Sequence, residues 1–148
     1  MNAIQLNDTH PTVSIPELVR LLMNEGKSFD DALDIARRTF SYTNHTLMSE
    51  ALETWDCELF RSVIPNILDI IFRINDALHR ELTSRGLPQE KINSMYIVAD
   101  GRIHMARLAT FVSSYVNGVA QIHSGLLRTE VLKDWYDVYP ERFQNKTN

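Results

Sequence analysis

The segment that most limits what this chain can fold into starts at Pro65. From there Ile67, Ile70, Ile71, Ile74, Leu78 and Leu82 recur at three- and four-residue spacing, and Gly86 and Pro88 close the run. That spacing predicts a long helix with one apolar stripe. Upstream, Ser14 reads as a helix N-cap, with Glu17 three residues on as in a capping box and Pro16 in the first turn. That helix runs through Leu18 to Met23 and stops at Gly26. Ser28 caps a second helix, with Asp30 and Asp31 against its N-terminal dipole. Phe29, Leu33, Ala36 and Phe40 form its apolar face.

Strand-like segments separate these helices. Ile4-Gln5-Leu6 predicts a short buried strand, and Phe40 to Thr43 leads into a second that ends in Asn44-His45-Thr46. Val119 to Ile122 predicts a third, after Asn117-Gly118 breaks a helix running from Ile103 to Tyr115 with Met105, Leu108, Ala109 and Val112 inward. Short helices are expected through Ser49 to Leu52 and Glu58 to Phe60, and Met95 to Val98 reads as a strand-like edge or surface piece. The pattern implies a helix-rich α/β unit with a parallel sheet built from βα units. Three short strands make a thin sheet for 148 residues, a hint that part of the sheet is missing.

Composition narrows the function classes. With 44% hydrophobic residues, 23% charged residues and a net charge of -4, the chain reads as an ordinary soluble domain. Its only adjacent basic pair, Arg37-Arg38, lies among Asp30, Asp31 and Asp34, so no basic face for nucleic acid is expected. Apolar runs fall far short of the roughly 20 residues a membrane span needs, and the N-terminus lacks the blocks of a signal peptide. Cys57 is alone, so no intrachain disulfide can form, and a reducing, cytoplasmic compartment is expected.

Three polar clusters each follow a strand-like segment: Asn7-Asp8-Thr9-His10, Tyr42-Thr43-Asn44-His45-Thr46, and His123-Ser124. In open parallel sheets, ligands bind beyond the carboxyl ends of the strands, and polar groups there can grip the hydroxyls of a sugar. Equally, Asp8 and Thr9 can cap a turn and the histidines can be satisfied by backbone groups, so both readings stay open on the residues alone. No metal-ligand spacing accompanies His10 or His45, and His79 and His104 read as helix-surface residues. Asp30-Asp31 reads as helix-start charge rather than a glycosidase pair. A nucleophile elbow, a dinucleotide fingerprint and a P-loop are all missing.

Six strings, taken in order, resemble the α-1,4-glucan (glycogen/maltodextrin) phosphorylase family. They are Ile4-Gln5-Leu6-Asn7-Asp8-Thr9-His10-Pro11, Ile15-Pro16-Glu17-Leu18, Tyr42-Thr43-Asn44-His45-Thr46, Glu50-Ala51-Leu52-Glu53-x-Trp55, Val116-Asn117-Gly118-Val119-Ala120-x-Ile122-His123-Ser124, and Phe143-Gln144-Asn145-Lys146-Thr147-Asn148. The resemblance implies a glycosyltransferase parent that cleaves terminal α-1,4-glucosidic bonds with inorganic phosphate and releases α-glucose 1-phosphate. It also implies pyridoxal 5′-phosphate in the full-length enzyme, whose 5′-phosphate takes part in proton transfer. By position, His45 and Asn148 match residues that bind the 6-hydroxyl of the glucosyl unit. Asp8, His10 and Thr46 match residues that line the space beside the anomeric carbon.

The same resemblance marks what this chain lacks. It covers residues 1–148 as one partial domain, the last section of a GT-B-type phosphorylase N-terminal domain, and the family motif runs on past Asn148. Lys27, Lys91, Lys133 and Lys146 match neither the Schiff-base lysine nor the phosphate ligands, which belong to a second domain. No cofactor is therefore expected on this chain, which is expected to be inactive alone and to self-associate through open strand edges. Asp69, Phe72 and Asn75 stand where animal enzymes carry the glutamine, tyrosine and asparagine of a glycogen storage site. Phe72 cannot make the tyrosine's hydroxyl bond, a departure that leans toward a bacterial-type enzyme. Two other readings are a stand-alone carbohydrate-binding module and a non-catalytic interaction protein from a truncated gene.

Overall fold

The apolar stripe after Pro65 is a 20-residue α-helix, and it buries Ile67, Leu68, Ile70, Ile71, Ile74, Leu78 and Leu82. Burial on that scale contributes roughly 1.5–3 kcal/mol per large side chain, so this helix is the main apolar contributor to the core. The computed structural model describes residues 3–45, 52–118 and 125–143. Along the chain these form β1 (Ile4–Asn7), α1 (Ser14–Asn24), α2 (Phe29–Thr39), β2 (Phe40–Asn44), β3 (Thr54–Asp56), α3 (Cys57–Val63) and α4 (Pro65–Ser84). Then come α5 (Gln89–Asn93), β4 (Val98–Ala99), β5 (Arg102–His104), α6 (Met105–Phe111) and β6 (Val116–Gly118). A π-helical turn (Leu127–Val131), α7 (Lys133–Val138) and a 3-10 turn (Pro140–Arg142) follow.

Helix-rich α/β architecture with a small parallel sheet is what the pattern of elements led one to expect. β1, β2 and β6 pair in parallel in the order β1-β2-β6, with Leu6 opposite Tyr42 and Tyr42 opposite Val116. Crossovers between parallel strands are right-handed, so two that step in the same direction place their helices on the same side. That side buries Leu6, Phe40, Tyr42 and Val116. The other side carries Gln5, Asn7, Ser41, Thr43 and Asn117, because side chains alternate along a strand.

Helix α2 starts as expected, with Ser28 Oγ accepting from Asp31 N at 3.1 Å and both aspartates in the first turn. α1 and α4 end alike. Gly26 (φ 101°) and Gly86 (φ 79°) take the left-handed conformation. The two residues after each cap bond back to Met23 and Leu22, and to Thr83 and Leu82. A Cβ at either glycine would meet nothing within 4 Å, so the backbone angle alone demands glycine there.

Several expectations need correction. Ser14 is the first residue of α1 rather than its cap: Val13 holds the cap position in helical backbone and no side chain caps it. The turn before the helix already supplies carbonyls, Pro11 to Ser14 N and Thr12 to Ile15 N. Glu17 therefore reaches forward to Arg20 (2.8 and 2.5 Å) instead of back. Asn117-Gly118 does not precede the third strand but lies in it, opposite Thr43 and Asn44, while Val119 to Ile122 lie outside the described residues. The helix expected from Ile103 begins at Met105, because Ile103 belongs to an antiparallel sheet of β3, β5 and β4. Strands of two and three residues are too short to show a period. Met95 and Ile97 are fully buried rather than at the surface. Of the two short helices, α3 is present, and the segment through 49–51 lies outside the described residues.

One half-buried ionic network ties the last described residues to this frame. Arg37 on α2 grips Glu81 on α4 at 3.0 and 3.2 Å, and the Tyr139 hydroxyl donates to the same carboxylate. Arg142 lies 4.1 Å over the Tyr139 ring and donates to the Thr110 and Phe111 carbonyls at the end of α6. Next in the chain, Phe143 makes a parallel bridge to Val116. Burial pushes Glu81 up, but the hydrogen bonds from Arg37 and Tyr139 and the charges of Arg37 and Arg142 outweigh it, leaving its pKa below the ordinary 4.5. Burial and the charge of Arg37 lower Arg142 to about 10, still charged at neutral pH.

Because the folded state holds Glu81 deprotonated more readily than the unfolded chain does, its contribution is complete above pH 4.5 and is lost as pH falls through the folded value. Glu81→Gln should therefore lose less stability than wild type between about pH 6 and about pH 3, measured by urea midpoints. Equal acid losses in the two proteins would contradict this.

Candidate functional site

The carboxyl ends of β1 and β2 meet at one edge of the parallel sheet. Asp8 follows β1 with φ 65°, its N–H donating to the Thr43 carbonyl at 2.8 Å and its carboxylate accepting from Thr9 N at 2.9 Å. The turn reading of Asp8 is thus correct, and it leaves the carboxylate half-buried at the edge. His10 projects from the next turn, 80% exposed, with Nδ1 3.5 Å from a Glu53 carboxylate oxygen. His45 follows β2, and its Nε2 lies 2.5 Å from Asn7 Oδ1.

Beneath that edge the polar side of the sheet is laced across its strands. Thr43 Oγ1 accepts from Gln5 Nε2 at 2.6 Å and donates to Asn117 Oδ1 at 2.9 Å, linking β1, β2 and β6 in one row. On the core side, fully buried Asn44 donates to the Tyr42 hydroxyl at 2.7 Å. Burial holds that phenol far above its ordinary pKa, with the charges of Asp8 and Glu53 pushing the same way, so it stays neutral.

Of the expected site residues, Asp8 and His10 follow β1 and His45 follows the neighbouring β2. Thr46 and Asn148 lie outside the described residues, as do His123 and Ser124 of the third polar cluster. Sequence reasoning missed Gln5 and Asn117 as bonding partners of Thr43, although the polar–apolar alternation of Gln5-Leu6-Asn7 and Ser41-Tyr42-Thr43 marked that face. Glu53 carried no local signal, being joined to His10 only by the fold.

Other candidates separate from this edge. His79 is exposed on α4, as expected, and bonds the Tyr96 hydroxyl at 2.8 Å. His104 is not a helix-surface residue: it ends β5 and, with Glu53, Arg107 and Trp135, lines a cavity of about 480 Å³. Burial, then the Arg107 charge, hold its pKa below the ordinary value. Asn75 Oδ1 is committed to the backbone N–H groups of Ile97 and Val98 (2.8 and 3.2 Å), and Phe72 packs against the core.

Among the described residues no lysine stands at the polar edge where the implied pyridoxal phosphate could be held as a Schiff base, and Lys146 lies outside the described residues. Lys91 and Lys133 both pair with Asp137 on the α5–α7 surface, and Lys27 follows the far end of α1. Neither location is the polar edge.

A family model described as carbohydrate phosphorylase matches residues 1–148. The chain is 45% identical over 152 aligned residues to the brain form of glycogen phosphorylase from Bos taurus, an alignment that covers 99% of this chain and 18% of that protein. It is 44% identical to glycogen phosphorylase 2 of Dictyostelium discoideum, covering 99% of this chain and 15% of that one. Against the human muscle form the figures are 45%, 99% and 18%. The chain thus spans less than a fifth of the length of these relatives.

Thr43→Val keeps the shape of the row but removes its central hydroxyl. It should lower stability by about 1 kcal/mol in urea unfolding, the net worth of a typical hydrogen bond. A variant as stable as wild type would show that the row carries no load.

Proposed function

This chain belongs to the carbohydrate phosphorylase family, and from that premise we propose that it is the part of an α-1,4-glucan phosphorylase that holds the terminal glucosyl unit. The parent reaction is phosphorolysis of a terminal α-1,4-glucosidic bond to α-glucose 1-phosphate, with glucan and phosphate as its partners. The observation that supports the reading is that Asp8 and His10 follow β1 and His45 follows the neighbouring β2 at the same edge of the parallel sheet, with His45 bonded to Asn7 at the end of β1. An imidazole and a carboxylate there can pair with sugar hydroxyls, and such pairing rejects analogues that lack them. In the proposal His45 and Asn148 share the 6-hydroxyl, while Asp8, His10 and Thr46 line the space beside the anomeric carbon.

Residues 1–148 are proposed as one partial domain whose site another domain completes. When bound elsewhere in the parent, pyridoxal phosphate supplies the phosphate group for proton transfer, and this chain's residues orient the sugar. A cytoplasmic setting is supported by the buried free thiol of Cys57. Among the described residues no helix is long and apolar enough to cross a membrane. β1 pairs only with β2 among the described residues, and Ile4 is 42% exposed beside its open side. Strand addition at that edge is the proposed route to self-association of the isolated chain.

Calorimetric titration of the chain with maltooligosaccharides should give no saturable signal, because half the site is elsewhere. In the complete enzyme, His45→Ala should weaken glucan use by roughly two- to tenfold, the worth of one neutral hydrogen bond. A saturable signal from the isolated chain, lost on His45→Ala, would instead favour a stand-alone carbohydrate-binding module.

A further inference from the structure

We propose that Asn7 is a positioning residue that fixes the His45 ring in its Nε2-protonated tautomer and so presents Nδ1 as an acceptor. The inference rests on the glucosyl-site reading of His45 and goes one step behind it. A carboxamide oxygen can only accept, so with Asn7 Oδ1 2.5 Å from His45 Nε2 the pair forms a hydrogen bond only when Nε2 carries the proton. In a neutral imidazole the other nitrogen then holds a lone pair.

Both partners are anchored by the fold rather than by each other. Asn7 is the last residue of β1, in register with Thr43, and the Asp8 N–H bond to the Thr43 carbonyl pins the strand end beside it. The positive φ of Asp8 turns the chain away at the next residue. Thr43, two residues before His45, is held from both sides by Gln5 and Asn117. Asn7 and His45 therefore project from the same side of adjacent strand ends. The Asp8 carboxylate, the nearest charged alternative in sequence, accepts from Thr9 N instead. A neutral amide sets the tautomer without favouring the imidazolium, as a carboxylate partner would. That suits a ring meant to meet an uncharged hydroxyl.

The test is a two-bond proton–nitrogen correlation spectrum of the chain labelled with ¹⁵N-histidine. Wild-type His45 should show the Nε2-protonated pattern. Asn7→Ala should replace it with an average of both tautomers. Asn7→Asp should keep the Nε2–H pattern and move the His45 titration upward by about one pH unit or more. A wild-type His45 protonated on Nδ1 would overturn the proposal, as would an unchanged His45 pattern in an Asn7→Ala chain whose amide spectrum remains folded. If Asn7→Ala does not fold, Asn7→Asp decides: an unmoved titration overturns it. No sugar is present, so this outcome is separate from the glucosyl reading, which His45→Ala in the complete enzyme tests.

Discussion

Parallel strands cannot be joined by tight turns, and each return to the same end of the sheet needs a crossover of one hand. In this chain β1, β2 and β6 add in sequence order, so helices collect on one side and polar side chains face the other. The same geometry gathers the carboxyl ends of the strands at one edge. The site, the core and the open strand edge all derive from that one constraint. Asn7 and His45 meet although they are far apart in the chain, because β1 and β2 run side by side in register.

The remaining structure serves to hold that sheet against its helices. α4 adds its buried stripe to the one core that also holds Leu6, Phe40, Tyr42 and Val116 of the sheet. At its far end Glu81 binds Arg37 from α2 and Tyr139 from the closing segment. A half-buried carboxylate of this kind is costly unless several donors serve it, and here three groups do so directly or through charge. The network carries the chain to Phe143, which lies alongside β6. Phe143 thus lies beside the sheet whose middle strand leads into His45.

Much of this was legible in the sequence for physical reasons. The α4 stripe repeats over more than four turns, from Ile67 to Leu82, enough for its period to stand out, and Ser28, Gly26 and Gly86 carry backbone chemistry that few other residues can. β1 and β2 were readable from short apolar runs ending in polar clusters. β6 was displaced because Asn117-Gly118 resembles a turn, whereas here both residues pair with β2 and Asn117 anchors the polar row. The β3–β5–β4 sheet left no periodic trace. Ser14 misled because the turn before α1 satisfies the helix start with main-chain carbonyls, which no side-chain pattern reveals. Site residues named by family resemblance include three that the fold places at one edge, yet the contacts Asn7–His45 and His10–Glu53 could only come from three dimensions.

Native-state hydrogen exchange, residue by residue, tests the sheet most directly. The Asp8 amide donates across to β2 and the Tyr42 amide across to the chain entering β6. Both should be as protected as the α4 amides, since opening either means undoing the packed unit. Exchange of Asp8 and Tyr42 at the rate of freely exposed amides, with α4 still protected, would mean that the three strands do not pair and that no common edge exists.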